Sequence, residues 1–251
     1  MANTKRIIIG GITGGMGAAL AKQLVAEGHS VAGYARSSDA LDELSDRVPG
    51  LVTQVCDATD SEAVATTIGA LTEALGGVDG YVHAIGSIFL KPAHLTDDSD
   101  WLQTLHLNLS SAFYALRPVL KLMQKQGSGG SCLFFSTAAA RVGIANHESI
   151  AAAKGGVEAL VRSAASTYSG RGIRVNAIAP SLTATALSQP LIGSERGLEI
   201  SKKMHPLGAI GQPEDVASLA AWLISDAAQF VTGQIYVMDG GLSSIVPKPK
   251  V

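Results

Sequence analysis

Arg6-Ile7-Ile8-Ile9-Gly10-Gly11-Ile12-Thr13-Gly14-Gly15-Met16-Gly17-Ala18-Ala19-Leu20-Ala21 passes from a short apolar run to a glycine-rich turn and then to residues of helical character. In a strand-turn-helix unit the N–H groups of the turn and of the first helical turn face outward with positive partial charge, an arrangement suited to a pyrophosphate. Gly11, Gly15 and Gly17 have the spacing G-x-x-x-G-x-G. A glycine-rich turn alone can be no more than a turn. Its place after a strand and before a helix predicts a dinucleotide site, with Gly11, Thr13, Gly15, Met16 and Gly17 around the phosphates.

From this segment onward, short β-like runs alternate with helical stretches. The predicted strands are Arg6–Gly10, Ser30–Ala35, Leu51–Cys56, Gly80–Ile85, Ser131–Ser136, Arg174–Ile178 and Gln234–Met238. The predicted helices are Gly15–Glu27, Asp39–Arg47, Ser61–Leu75, Ser99–Lys125, Glu148–Ser169 and Pro213–Ser225. Nearly continuous apolar strands spaced by helices predict an α/β fold: one Rossmann-type, doubly wound parallel sheet with helices on both faces. No repeat or linker divides residues 1–251, so one domain is expected, ending in a Pro247–Val251 tail. Leu182–His205 lacks a strong pattern and reads as a mobile flap over a site.

Composition narrows the partners. The 19 basic and 21 acidic residues nearly balance, with no run of like charge, which argues against a nucleic-acid ligand. No apolar run approaches the roughly 18 residues of a spanning helix, and no secretory h-region follows Met1, so a cytoplasmic protein with a small-molecule substrate and no membrane partner is expected. Cys56 and Cys132 read as buried free thiols, and the six histidines are scattered, without a metal-ligand cluster. The 28 glycines beside 5% aromatic residues imply many tight turns and close backbone approaches.

Cofactor choice is read at the end of the second strand, Tyr34-Ala35-Arg36-Ser37-Ser38. An acidic residue there would bind a ribose 2′-hydroxyl, whereas a basic one pairs with a 2′-phosphate. Arg36, with Ser37 beside it, favours NADP(H) over NAD(H); the alternative is that Arg36 is a solvated loop charge.

With these features assembled, the chain resembles the short-chain dehydrogenase/reductase family over nearly all its length. The glycine loop matches that family's first turn, although its usual leading Thr is Gly10 here. Cys56-Asp57-Ala58-Thr59-Asp60 is similar to the adenine-binding segment, which implies that Asp57 and Ala58 meet the adenine ring. Val82-His83-Ala84-Ile85-Gly86 stands in place of Asn-Asn-Ala-Gly and is closer to the divergent enoyl-acyl-carrier-protein reductases; Ala84 and Gly86 are its implied cofactor contacts. Arg174-Val175-Asn176-Ala177-Ile178-Ala179-Pro180 matches the sixth strand, with Ser181 replacing the usual Gly, and Pro180 and Thr185 fall beside the expected nicotinamide. Asn108 matches the family's active-site Asn and can serve either as scaffold or in a proton relay. Gly211-Gln212-Pro213-Glu214-Asp215 and Thr232 through Gly241 complete the likeness.

The active-site motif departs from the family's pattern. The family's Tyr-x-x-x-Lys sets a phenol and an ammonium one helical turn apart on one face. Lys154 matches the lysine, but the tyrosine position is Ile150, which can exchange no proton. Thr137 takes the place of the companion serine, a mild change because its hydroxyl can make the same hydrogen bond. His147, seven residues before Lys154, matches the displaced tyrosine of the enoyl reductases and is the sharpest candidate for a replacement acid, against a plain loop histidine. Glu148 reads as helix N-terminal support and Ser149 as lying on another face. Tyr81 and Tyr236 read as core residues.

The leading expectation is an NADP(H)-binding oxidoreductase acting on a small carbonyl, alcohol or activated alkene with a non-standard proton donor. The alternatives are a catalytically silent nucleotide-binding homologue, serving as a sensor or partner subunit, and a lyase or isomerase using the same pocket. The resemblance also implies a homodimer or homotetramer paired through Ser99–Lys125 and Glu148–Ser169, whose small residues could instead pack within one subunit.

Overall fold

A computed structural model of the chain describes residues 4–247; Met1–Asn3 and all but Pro247 of the expected terminal tail lie outside the described residues. The sheet is built from seven parallel strands: β1 (Arg6–Gly10), β2 (Ser30–Ala35), β3 (Val52–Val55), β4 (Gly80–His83), β5 (Gly130–Phe135), β6 (Ile173–Pro180) and β7 (Ile235–Met238). Their order is β3-β2-β1-β4-β5-β6-β7, so the winding reverses between β1 and β4. In open parallel sheets ligands bind at such a reversal, beyond the carboxyl ends of the strands. The glycine turn leaves β1 at that point.

Strand periodicity explains the double layer. Ile7 and Ile9 face one side with Val31, Val82, Leu133 and Ile178. There they pack under α1 (Gly15–Ala26), α2 (Ser38–Arg47) and α9 (Pro213–Ile224). Ile8 faces the other side with Tyr34, Tyr81, Phe134 and Val175. That side is covered by α3 (Ser61–Leu75), α5 (Ser111–Gln126) and α6 (Glu148–Tyr168). An unbroken Ile-Ile-Ile run is therefore what two buried faces require. Cys56 and Cys132 are both buried and unpaired, and burial pushes the Cys132 thiol up to about 12, which leaves it unreactive.

Three expectations need correction. The single helix expected over Ser99–Lys125 is α4 (Asp98–Leu105), a π-helical stretch at His106–Ser110, and α5. The Asn108 amide donates to the Thr104 carbonyl and the Ser111 hydroxyl to that of Leu107, so side chains compete for carbonyls where the helix widens. The Leu182–His205 flap is not patternless: it carries α7 (Gln189–Ile192) and the amphipathic α8 (Glu195–Met204), capped by the Ser194 hydroxyl accepting from Gly197 N–H. Tyr236 is half-buried on the edge strand, its ring edge-on to Trp222, rather than in the core.

Candidate active site

A cavity of about 650 Å³ opens along the carboxyl ends of the strands. It gathers Gly15, Met16, Ala84, Gly86, Thr137, His147, Lys154, Pro180 and Thr185 from the predicted set, with Ile150 among them. Gly11, Thr13, Gly17, Arg36, Ser37, Asp57, Ala58 and Asn108 do not border it. Most of these follow β1, β2 and β3, on the same sheet edge but to one side of the cavity. Gly11 turns the chain out of β1 with φ +76°, a conformation favouring glycine, while its N–H bonds the Tyr34 carbonyl at 2.8 Å.

At the expected nucleotide end, Ser37 caps α2, its hydroxyl oxygen accepting from Ala40 N–H at 3.2 Å. The Asp57 carboxylate accepts from the Thr59 N–H and hydroxyl at 2.9 and 2.8 Å, and those bonds hold its pKa below the usual carboxylate range, aided by the charges of Arg36 and His106. Arg36 is exposed at the mouth of this strand end.

Lys154 lies on α6, buried, with its ammonium 3.3 Å from the Ile85 carbonyl. Desolvation lowers its pKa to about 8. Ile150 stands one turn earlier and is also buried. Thr137 follows β5; its oxygen accepts from Ala139 N–H at 3.3 Å, and its own O–H has no partner among the described residues. Just before it, the Ser136 hydroxyl donates to the buried Glu158 carboxylate at 2.9 Å, which also pairs with Arg141 at 2.9 Å, fixing the strand end from which Thr137 projects. His147 is the N-cap of α6, after Asn146 at φ 65°, and its Nδ1–H donates to the Ala145 carbonyl at 2.8 Å. In the neutral ring its Nε2 therefore carries the lone pair.

Two further side chains stand off the cavity. Asn108 is fully buried and its amide is spent: Oδ1 accepts from Ser87 N–H at 2.9 Å, and Nδ2 donates to the Ser87 hydroxyl and the Thr104 carbonyl. It braces the loop after β4 against the π-helical stretch. Ser149, read as lying on another face, is buried and does not border the cavity. Sequence reasoning also passed over His205, which ends the flap and stands 2.9 Å from the Ser181 hydroxyl on the cavity wall. The one sequence signal was Ser181 itself, a side chain in place of a glycine.

A family model described as enoyl-(acyl carrier protein) reductase matches residues 11–243. The chain belongs to the short-chain dehydrogenase/reductase family. It is 33% identical over 250 residues to 2-(S)-hydroxypropyl-CoM dehydrogenase 3 of Xanthobacter autotrophicus, covering 95% of this chain and 96% of the relative. It is 34% identical over 193 residues to the inactive 2-(S)-hydroxypropyl-CoM dehydrogenase 2 of the same organism, covering 75% and 84%. A short-chain type dehydrogenase/reductase from Mycobacterium ulcerans superposes with a TM-score of 0.92 at 30% identity, over 97% of this chain and 91% of that one.

The nicotinamide dinucleotide of this family fits the residues present. The N-terminus of α1 opens on the cavity with no acidic residue in its first turn, so its N–H groups would meet a phosphate unopposed. A Cβ on Gly15 would stand 2.6 Å from Thr185 Cγ2, so only glycine keeps that approach open. Among the described residues no helix is long and apolar enough to cross a membrane, and no group of three or more His, Cys, Asp or Glu side chains could hold a metal ion.

Proposed function

We propose that this family member is an NADP(H)-dependent oxidoreductase acting on a small carbonyl, alcohol or activated alkene, with a proton donor other than a phenol at position 150. The observation that carries this reading is the convergence of the α1 N-terminus, Lys154 and the unpartnered Thr137 hydroxyl on one cavity. Family members matched by the chain are dehydrogenases and reductases, which supports oxidoreductase chemistry. The cofactor supplies the hydride chemistry when bound. Gly11, Thr13, Gly15, Met16 and Gly17 surround its pyrophosphate, Asp57 and Ala58 its adenine, and Arg36 and Ser37 its 2′-phosphate. Ala84 and Gly86 line its path, Lys154 grips the ribose, and Pro180 and Thr185 flank the nicotinamide. Thr137 donates its free O–H to the substrate oxygen. His147 exchanges the proton at that oxygen through Nε2, the nitrogen left open by the bond to Ala145. Asn108 holds the loop after β4.

The protein is proposed to act in the cytoplasm as a homodimer or homotetramer. Exposed Leu102 and Phe113 near the α4–α5 junction, and Phe230 and Trp222 near β7, supply apolar surface for two interfaces.

A second reading, a silent nucleotide-binding homologue, is favoured by Ile150 and by the chain's likeness to a relative described as inactive. The deciding experiment is titration with NADPH and NADH, then NADPH oxidation against ketones, quinones and enoyl thioesters by wild type, His147→Ala and Ile150→Tyr. Turnover by wild type that is lost in His147→Ala supports the proposal. Binding with turnover only in Ile150→Tyr establishes the silent reading. Failure to bind either cofactor overturns both.

A further inference from the structure

The polar groups of the cavity wall divide by where their hydrogen bonds go. The Ser87 hydroxyl accepts from Asn108, that of Ser136 donates to Glu158, and that of Thr183 donates to the Ser181 carbonyl. Each of these makes its hydrogen bond to a group with no ring nitrogen. Ser181 and His205 form a different arrangement. His205 Nδ1 lies 2.6 Å from the Ser201 carbonyl, which can only accept, so that nitrogen carries the hydrogen. In the neutral ring Nε2 is then an acceptor, and it receives the Ser181 O–H at 2.9 Å. The hydrogen of Ser181 is thereby committed, while its oxygen keeps lone pairs with no donor among the described residues.

Both side chains border the cavity, and His205 is only 4% exposed, so the pair is held. The Ser181 backbone is fixed as well, its N–H bonding the Met238 carbonyl at 3.1 Å. Thr137 emerges from β5 and Ser181 from β6, and these strands are hydrogen-bonded neighbours, with Phe135 opposite Ile178. Neighbouring strands lie about 4.8 Å apart, so the two hydroxyls rise from adjacent strand ends. Around them the wall is apolar: Ile144, Ile150, Leu182, Leu187, Leu191 and Ile200.

We propose that Ser181, oriented by His205, selects substrates that carry a second hydroxyl on the carbon next to the reacting one: an apolar vicinal diol or the corresponding 2-hydroxy ketone. This rests on the oxidoreductase reading, in which Thr137 meets the reacting oxygen. The second hydroxyl donates to the Ser181 oxygen. A substrate with hydrogen at that place takes water away from a half-buried acceptor on the cavity wall and returns nothing, and sites of this kind discriminate.

The test compares kcat/KM for 2-hydroxycyclohexanone and cyclohexanone with NADPH, and, without turnover, the affinities of trans-1,2-cyclohexanediol and cyclohexanol by saturation-transfer NMR. Wild type should favour the dioxygenated member of each pair by about tenfold or more. Ser181→Ala should bring both ratios towards one, and Ser181→Thr, which keeps a hydroxyl, should restore part of them. His205→Leu, which frees the Ser181 O–H to rotate, should lower them by a smaller factor. Equal ratios in wild type and Ser181→Ala, or no preference in wild type, overturn the assignment while NADPH binding and turnover stand. Absence of NADPH binding overturns the oxidoreductase reading instead, and the diol-binding ratio still decides the role of Ser181.

Discussion

The hydroxyls of Tyr34 and Tyr81 meet 2.9 Å apart directly beside Gly10, the last residue of β1. They belong to a buried chain whose directions are all determined. The Ser111 hydroxyl donates to the Leu107 carbonyl, so it accepts from His83 Nε2–H. His83 Nδ1 then accepts from the Tyr81 O–H at 2.9 Å, and Tyr81 accepts from Tyr34. The chain ties β2 and β4 to the π-helical stretch that carries Asn108. It also explains the family's missing threonine: a Cβ at position 10 would stand 2.6 Å from the Tyr34 hydroxyl oxygen and 2.8 Å from that of Tyr81.

Gly10→Ala should therefore overpack a closed space. The expected loss is about 1–3 kcal/mol, read as a lower urea midpoint with little change in the slope of the transition. An unchanged midpoint would show that the phenols move aside freely.

His83 gives stability a pH dependence. Burial, with the charge of Lys154 adding to it, lowers its pKa from 6.5 to about 3. The folded chain thus keeps His83 neutral where the unfolded chain takes up a proton. Its contribution is complete above pH 6.5 and is lost as pH falls towards 3. Unfolding midpoints measured between pH 7 and 4 should fall more steeply for wild type than for His83→Asn.

Lys154 predicts a pH dependence of opposite sense for cofactor binding. With its pKa lowered to about 8 by desolvation, the ammonium is charged below that pH and neutral above it. NADPH affinity, followed by the quenching of tryptophan fluorescence, should weaken as pH rises past 8 in the wild type. In Lys154→Met the affinity should be lower throughout and show no such step.

The proposed preference for NADPH rests on Arg36. Arg36→Leu removes the one basic residue at the end of β2 and should weaken NADPH by on the order of tenfold while leaving NADH nearly unaffected. An equal effect on both dinucleotides would assign Arg36 to general charge only.

What could be read along the chain was what local chemistry dictates. Ile7-Ile8-Ile9 before a glycine turn, and the alternation of strands and helices after it, determined the doubly wound sheet, because an unbroken apolar strand has no other way to bury both faces. Position 150 was legible as an aliphatic residue four before Lys154, since helical spacing alone puts the two on one side. Tertiary structure decided what depends on partners distant in sequence. The expected long helix gave way to a π-helical stretch where Asn108 braces Ser87, 21 residues away. Gly10 became intelligible only when phenols from β2 and β4 were brought beside it. Ser181 and His205 lie 24 residues apart, and no periodicity links them. Folding the flap back over the end of β6 makes them a pair, because hydrogen bonding needs contact in space and not nearness along the chain.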